Sequence, residues 1–159
     1  MATPEITVAA VVQRDGRFLL VEERIERRLV LNQPAGHLER NETLLEAVRR
    51  EAREETAWQF HASGLLGVYV WRHPRTGRQF KRFAFIGSVS DHRPRQPLDA
   101  GIVRTLWLTA DEIRLRSPAL RSPLVLRCIE DCLAGRSAPL EPVAGLDLES
   151  AATVAALEV

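Results

Sequence analysis

The first forty residues alternate short apolar runs with turn signals, the pattern of strands rather than helices. Ile6–Gln13 is rich in Val and reads as a buried strand, and Asp15-Gly16 is a strong hairpin turn into a second strand, Phe18–Glu22. Arg28–Leu31 reads as a further short strand. Pro34 and Gly36 then break the pattern, so Asn32–His37 is expected to be a loop. From Asn41 the period lengthens. Leu44, Leu45, Val48 and Ala52 form an apolar stripe at helical spacing, which predicts a helix over Glu42–Thr56 with Asn41 as its N-cap. Leu65–Trp71 and Phe80–Val89 read as paired strands joined by a basic loop, Arg72–Arg78, and Asp91–Gly101 is a polar loop with two prolines. Val103–Leu108 is another strand. Thr109–Glu112 is a capping box opening a short helix, and Ser122-Pro123 caps a longer one that ends near Gly135. Strands mixed with helices predict an α/β sandwich with a mixed sheet. Residues 1–143 are expected to form one domain, and 144–159 a tail, either weakly helical around Leu148–Leu157 or disordered.

Composition narrows the function classes. The chain has 159 residues, enough for a core that needs no staples, with 45% hydrophobic and 27% charged residues. A net charge of +1 argues against a polyanion-binding surface, so no nucleic-acid partner is expected. Apolar runs such as Val8–Val12 are too short to span a bilayer. No basic segment precedes them, so the expected compartment is the cytoplasm. Cys128 and Cys132, four apart on a predicted helix, read as packed thiols, since two thiols alone make a poor zinc site.

The chemistry lies in the first long helix. Glu51, Glu54 and Glu55 occupy i, i+3 and i+4, directly after Arg50. At 3.6 residues per turn the three carboxylates fall within an arc of about 100°. Like charges at these spacings destabilise an isolated helix by a few tenths of a kcal/mol per pair. They border the apolar stripe and so are partly shielded from water. A hard divalent cation with oxygen ligands would relieve the repulsion. The competing reading is an ordinary solvated face. The preceding loop decides between them. Gly36, five residues and Glu42, then seven residues and Arg50-Glu51-Ala52-Arg53-Glu54-Glu55, closely resembles the Nudix box, the signature of a family of diphosphate-bond hydrolases.

The resemblance implies a Nudix fold, an α/β/α sandwich, and a Mg²⁺-dependent hydrolase in which Mn²⁺ can substitute. It implies that Glu51, Glu54 and Glu55 bind metal, that the Gly36 carbonyl adds a ligand, and that Glu42 and Arg50 hold these acids in place. A likeness to a bacterial phosphatase branch of the family extends over roughly residues 5–143. It implies cleavage of a phosphoanhydride in nucleoside di- and triphosphates or pyrophosphorylated thiamin-pyrimidine precursors, by attack of metal-activated water, in a monomer or homodimer. The family pattern has glycine where this chain has Ala57, which puts the turn at the helix end in question rather than the catalysis.

The base is open between Glu54 and Asp99, and Asp99 also reads as a plain turn residue. On the paired strands, alternation puts Tyr69 and Trp71 on one face and Phe83 and Phe85 on another. Trp71, at a loop border, is expected to stack on a base if it is not core. Arg82 is the expected phosphate contact, a surface arginine being the alternative. Two rival functions stand beside hydrolysis. One is a Nudix-like module that senses a nucleotide without cleaving it; the other is a domain gripping RNA through Arg72–Arg82.

Overall fold

Strand β1 (Glu5–Arg14) is the spine of the fold. Val8 to Val12 are each no more than 2% exposed, and alternation divides them between two cores. Ala9 and Val11 enter one; Val8, Ala10 and Val12 enter the other. A strand apolar on both sides must be covered on both sides. The computed structural model describes residues 3–143, so the expectation for the 144–159 tail lies outside the described residues.

On one edge β1 runs parallel to β6 (Gln79–Ser90), which pairs antiparallel with β5 (Gln59–Arg72). The other edge forks. β2 (Arg17–Ile25) stays with β1 for two pairs, Gln13 with Phe18 and Arg14 with Arg17, then departs. It pairs instead with β3 (Arg28–Asn32) and β7 (Ile102–Thr109), both antiparallel. The edge it vacates is taken by β4 (Ala35–His37), whose residues pair with Thr7–Ala9. The fork splays two halves of a mixed sheet, and a cleft opens between them.

Helix α1 (Leu44–Thr56) covers one face through Ala47, Val48 and Ala52. Helices α2 (Ala110–Leu115) and α3 (Pro123–Leu133) cover the other through Ile113, Val125, Cys128 and Ile129. This is the α/β/α sandwich expected from the sequence. Among the described residues no helix is long and apolar enough to cross a membrane. Both cysteines are free thiols, Cys128 buried in the core.

Two local expectations change, and the turn left open at Ala57 takes one of its two forms. The N-cap of α1 is Thr43, closed by a capping box with Glu46; Asn41 instead turns the chain with φ 65°. Either residue satisfies the cap preference, and the glutamate three positions beyond Thr43 decides between them. Asn32–His37 is not wholly loop, because β4 lies within it. Pro34 precedes that strand, so its missing N–H costs no ladder bond, and its carbonyl accepts from the Ala10 amide at 2.9 Å. Ala57 does take the left-handed conformation, φ 60° and ψ 15°, and its N–H donates to the Arg53 carbonyl.

Candidate active site

The acids of α1 meet the sheet at β4. Gly36 pairs with Val8, whose side chain enters the α1 core, so the Gly36 Cα faces that helix. A Cβ there would collide with the carboxyl group of Glu51. Only glycine lets the acid lie against the strand. Glu51 is buried, and burial pushes its carboxyl above the ordinary value despite the hydrogen bond from Arg50. Glu55, one turn on, accepts from the Ala35 amide at 2.7 Å. Burial pushes its carboxyl up to about 8, the Ala35 hydrogen bond opposing.

Arg50 ties the acids to the loop before the helix. Its Nε and Nη2 fork onto Glu42 at 3.0 and 2.7 Å, and Nη2 also donates to the His37 carbonyl. Nη1 donates to Glu51 at 2.8 Å and Glu54 at 3.2 Å. The Arg50 hydrogen bonds hold the Glu42 carboxyl below the usual range, burial opposing. One planar guanidinium thus fixes three carboxylates whose mutual repulsion would otherwise spread them. Glu42 and Arg50 are in direct contact, and Arg50 touches two of the α1 acids.

The fourth acid comes from the 91–101 loop. A helix end leaves carbonyls without partners, and this loop supplies donors for them. The Asp99 amide donates to the Glu54 carbonyl at 2.9 Å, the Gln96 side chain to Arg53 at 2.7 Å, and the Arg93 amide to Ala57 at 3.0 Å. Pinned in this way, Asp99 joins Glu51 and Glu54, with one carboxylate oxygen of each lying within 4.8 Å of the others. Among the described residues this trio is the group of potential metal ligands; Glu55 stands beside it, turned to Ala35. The donor set is all carboxylate oxygen and partly shielded, which fits a hard divalent cation.

The fork of the sheet forms a cleft of about 920 Å³ that reaches Gly36 and His37. One wall carries Trp71 and Phe80, stacked with ring centroids 5.8 Å apart, and the β2–β3 hairpin supplies the other through Glu23, Val30 and Asn32. Tyr69 and Trp71 do share a face, paired with Arg82 and Phe80, while Phe83 and Phe85 pack toward α1. Arg82 is in the cleft but is not a surface arginine. It is 6% exposed, with Nη1 on the Gln33 side chain at 3.0 Å and Nη2 on Asn32 at 3.1 Å. Its Nε has no partner among the described residues. Burial pulls its proton affinity down, the charge of Glu23 opposing weakly, and among the described residues no carboxylate lies within ion-pair distance.

Glu23 and Asn32 line this cleft, with Gln33 buried behind Arg82, and none of the three was assigned a role from the sequence. Glu23 falls one residue beyond the strand read as Phe18–Glu22, although extending its alternation would have placed it beside Val21. Gln33 is fully buried and donates to the Val125 carbonyl at 2.8 Å, joining β3 to α3. A glutamine beside a proline gives no such signal.

A NUDIX domain profile matches residues 3–127. The chain belongs to the Nudix family. It is 41% identical over 143 residues to Phosphatase NudJ of Escherichia coli (strain K12), a match spanning 90% of this chain and 92% of that relative. Among solved structures, a NUDIX hydrolase from Nitrosomonas europaea superposes with a TM-score of 0.89 at 44% identity, covering 91% of this chain and 99% of that one. The NUDIX domain of Shewanella oneidensis NrtR, solved with ADP ribose, shares the fold alone, with a TM-score of 0.66 at 17% identity over 85% of this chain and 90% of that one. This Nudix protein is therefore a hydrolase of the pyrophosphohydrolase type, and the acid cluster on α1 is the Nudix box expected from the sequence.

Proposed function

We propose that this Nudix hydrolase cleaves a phosphoanhydride bond in a nucleoside di- or triphosphate or a pyrimidine diphosphate, using Mg²⁺ with Mn²⁺ as a substitute. The observation that carries the reading is the approach of Glu51, Glu54 and Asp99 to within 4.8 Å, with Glu51 lying against Gly36, a residue that also borders the cleft. Glu51 and Glu54 would hold the ion, with Glu55 and the Gly36 carbonyl beside them. A divalent ion bound there neutralises phosphate charge and acidifies a water ligand. Arg50 and Glu42 keep the acids in register. Asp99 takes no hydrogen bond on its carboxylate among the described residues, whereas Glu54 gives one oxygen to Arg50. Asp99 is therefore the group free to accept the proton from the attacking water. Trp71 offers a stacking face to a base. Arg82, a buried cation in the cleft floor, draws the polyphosphate inward by charge.

A phosphate-release screen over nucleoside di- and triphosphates, sugar nucleotides and pyrimidine diphosphates, with Mg²⁺ and with chelator, tests the reading. Turnover should require the divalent ion. Glu54→Gln should abolish it with an unchanged circular dichroism spectrum, and Asp99→Asn should lower kcat by about 10²-fold. Full activity in Glu54→Gln overturns the assignment. Nucleotide binding without phosphate release would point instead to a sensing module.

A further inference from the structure

Glu23 is an acid whose surroundings leave it unused. It lines the cleft opposite the Trp71–Phe80 wall, with its side chain 20% exposed. Its nearest cation, Arg121 Nε, stands 3.9 Å away, beyond hydrogen-bond reach. Among the described residues no donor reaches its carboxylate, yet neither oxygen is sealed from solvent. Both therefore face the cleft as free acceptors. A carboxylate with no protein donor is satisfied by water in the open cleft, and a ligand bringing its own donors can take that place.

Asn32 is its complement. Antiparallel pairing sets Glu23 opposite Val30 and Val21 opposite Asn32, so Glu23 and Asn32 are diagonal neighbours on one face. The Asn32 Oδ1 accepts from Arg82, which fixes the amide with its N–H₂ as the remaining donor. Arg82 is held in turn by Gln33, itself fully buried and anchored to α3. The wall thus presents an acceptor and a fixed donor side by side, across a slot from stacked aromatic rings.

We infer that Glu23 and Asn32 read the edge of a planar nitrogen heterocycle, Glu23 accepting from an exocyclic amine and Asn32 donating to the adjacent ring nitrogen, and so select amino-bearing over keto-bearing bases. Trp71 supplies the stacking surface, backed by Phe80, whose ring also lies beneath the Arg78 guanidinium. A keto oxygen in place of the amine would face the Glu23 carboxylate with no proton between them. Sites built to hydrogen-bond a substrate group discriminate strongly against an analogue lacking it. This selectivity rests on the cleft being the substrate site proposed above.

Cytidine and uridine nucleotides differ at this edge, amine against keto, and make the test. For wild type, kcat/KM should favour CTP over UTP by at least about ten-fold, and calorimetry in Mg²⁺ should show the same preference of CDP over UDP. In Glu23→Gln the side-chain amide can donate to the keto oxygen, so the CTP/UTP ratio should fall to unity or invert. A role confined to packing or to holding Arg121 would leave that ratio unchanged. Equal handling of the two bases by wild type overturns the inference, and wild type needs no variant to fold. An unchanged ratio in a folded Glu23→Gln protein also overturns it. If neither triphosphate is cleaved but CDP binds in preference to UDP, the hydrolytic reading fails and the edge reading stands.

Discussion

At residue scale, Ala57 and Glu55 carry strain that can be measured. A Cβ in the left-handed region costs about 1–2 kcal/mol, part of it offset because alanine restricts the unfolded chain more than glycine. Ala57→Gly should therefore stabilise the protein by about 0.5–1 kcal/mol, read as a higher Tm; a lower Tm would mean that the methyl group's packing outweighs the backbone strain. Glu55 has a pH signature. Its carboxyl, ordinarily near 4.5, stands at about 8 in the fold because of burial. The folded state then holds the proton more tightly than the unfolded chain, so its contribution to stability is full below about pH 4.5 and is lost as pH rises to about 8. In chelator, the Tm advantage of Glu55→Gln over wild type should grow between pH 5 and pH 8. A constant difference across that range would show that Glu55 does not carry this term.

At the scale of elements, α1 matters at both ends. Its start is set by Thr43, whose Oγ1 accepts from the Glu46 amide at 3.1 Å while Glu46 accepts from the Thr43 amide at 2.7 Å. Thr43→Ala should cost about 1 kcal/mol in a denaturant melt. A loss too small to measure would place the effective cap elsewhere. The far end of α1 explains what the sequence did and did not disclose. Glu51, Glu54 and Glu55 were legible because helical spacing puts them on one border of the apolar stripe, and Arg50 because it completes the Nudix-box pattern. Asp99 was legible only as a candidate, because its place depends on which donors fill the carbonyls of Arg53, Glu54 and Ala57. That choice is tertiary. The β4 strand was hidden for a related reason: three residues flanked by proline carry no periodicity, and their partner lies far back in β1.

For the whole molecule, binding of an ion at a site absent from the unfolded chain must raise stability. Mg²⁺ should raise the Tm in a concentration-dependent way, reaching about 2.7 kcal/mol of stabilisation at a hundred times its dissociation constant. Glu51→Gln should remove most of that shift, and an undiminished shift would place the ion elsewhere. The sandwich itself was readable from the buried run of β1 and the two capped helices. The fork was not, since nothing in β2 announces where it abandons β1. Yet the fork has a consequence for how such an enzyme diversifies. The acids proposed to hold the ion stand on α1, while Glu23 and Asn32 stand on the β2–β3 hairpin and Trp71 on β5. Substitutions in those strands can retune what is accepted while the cutting machinery stays intact. On the proposed roles, selectivity and reactivity are free to drift independently, within a scaffold where β4 borders both.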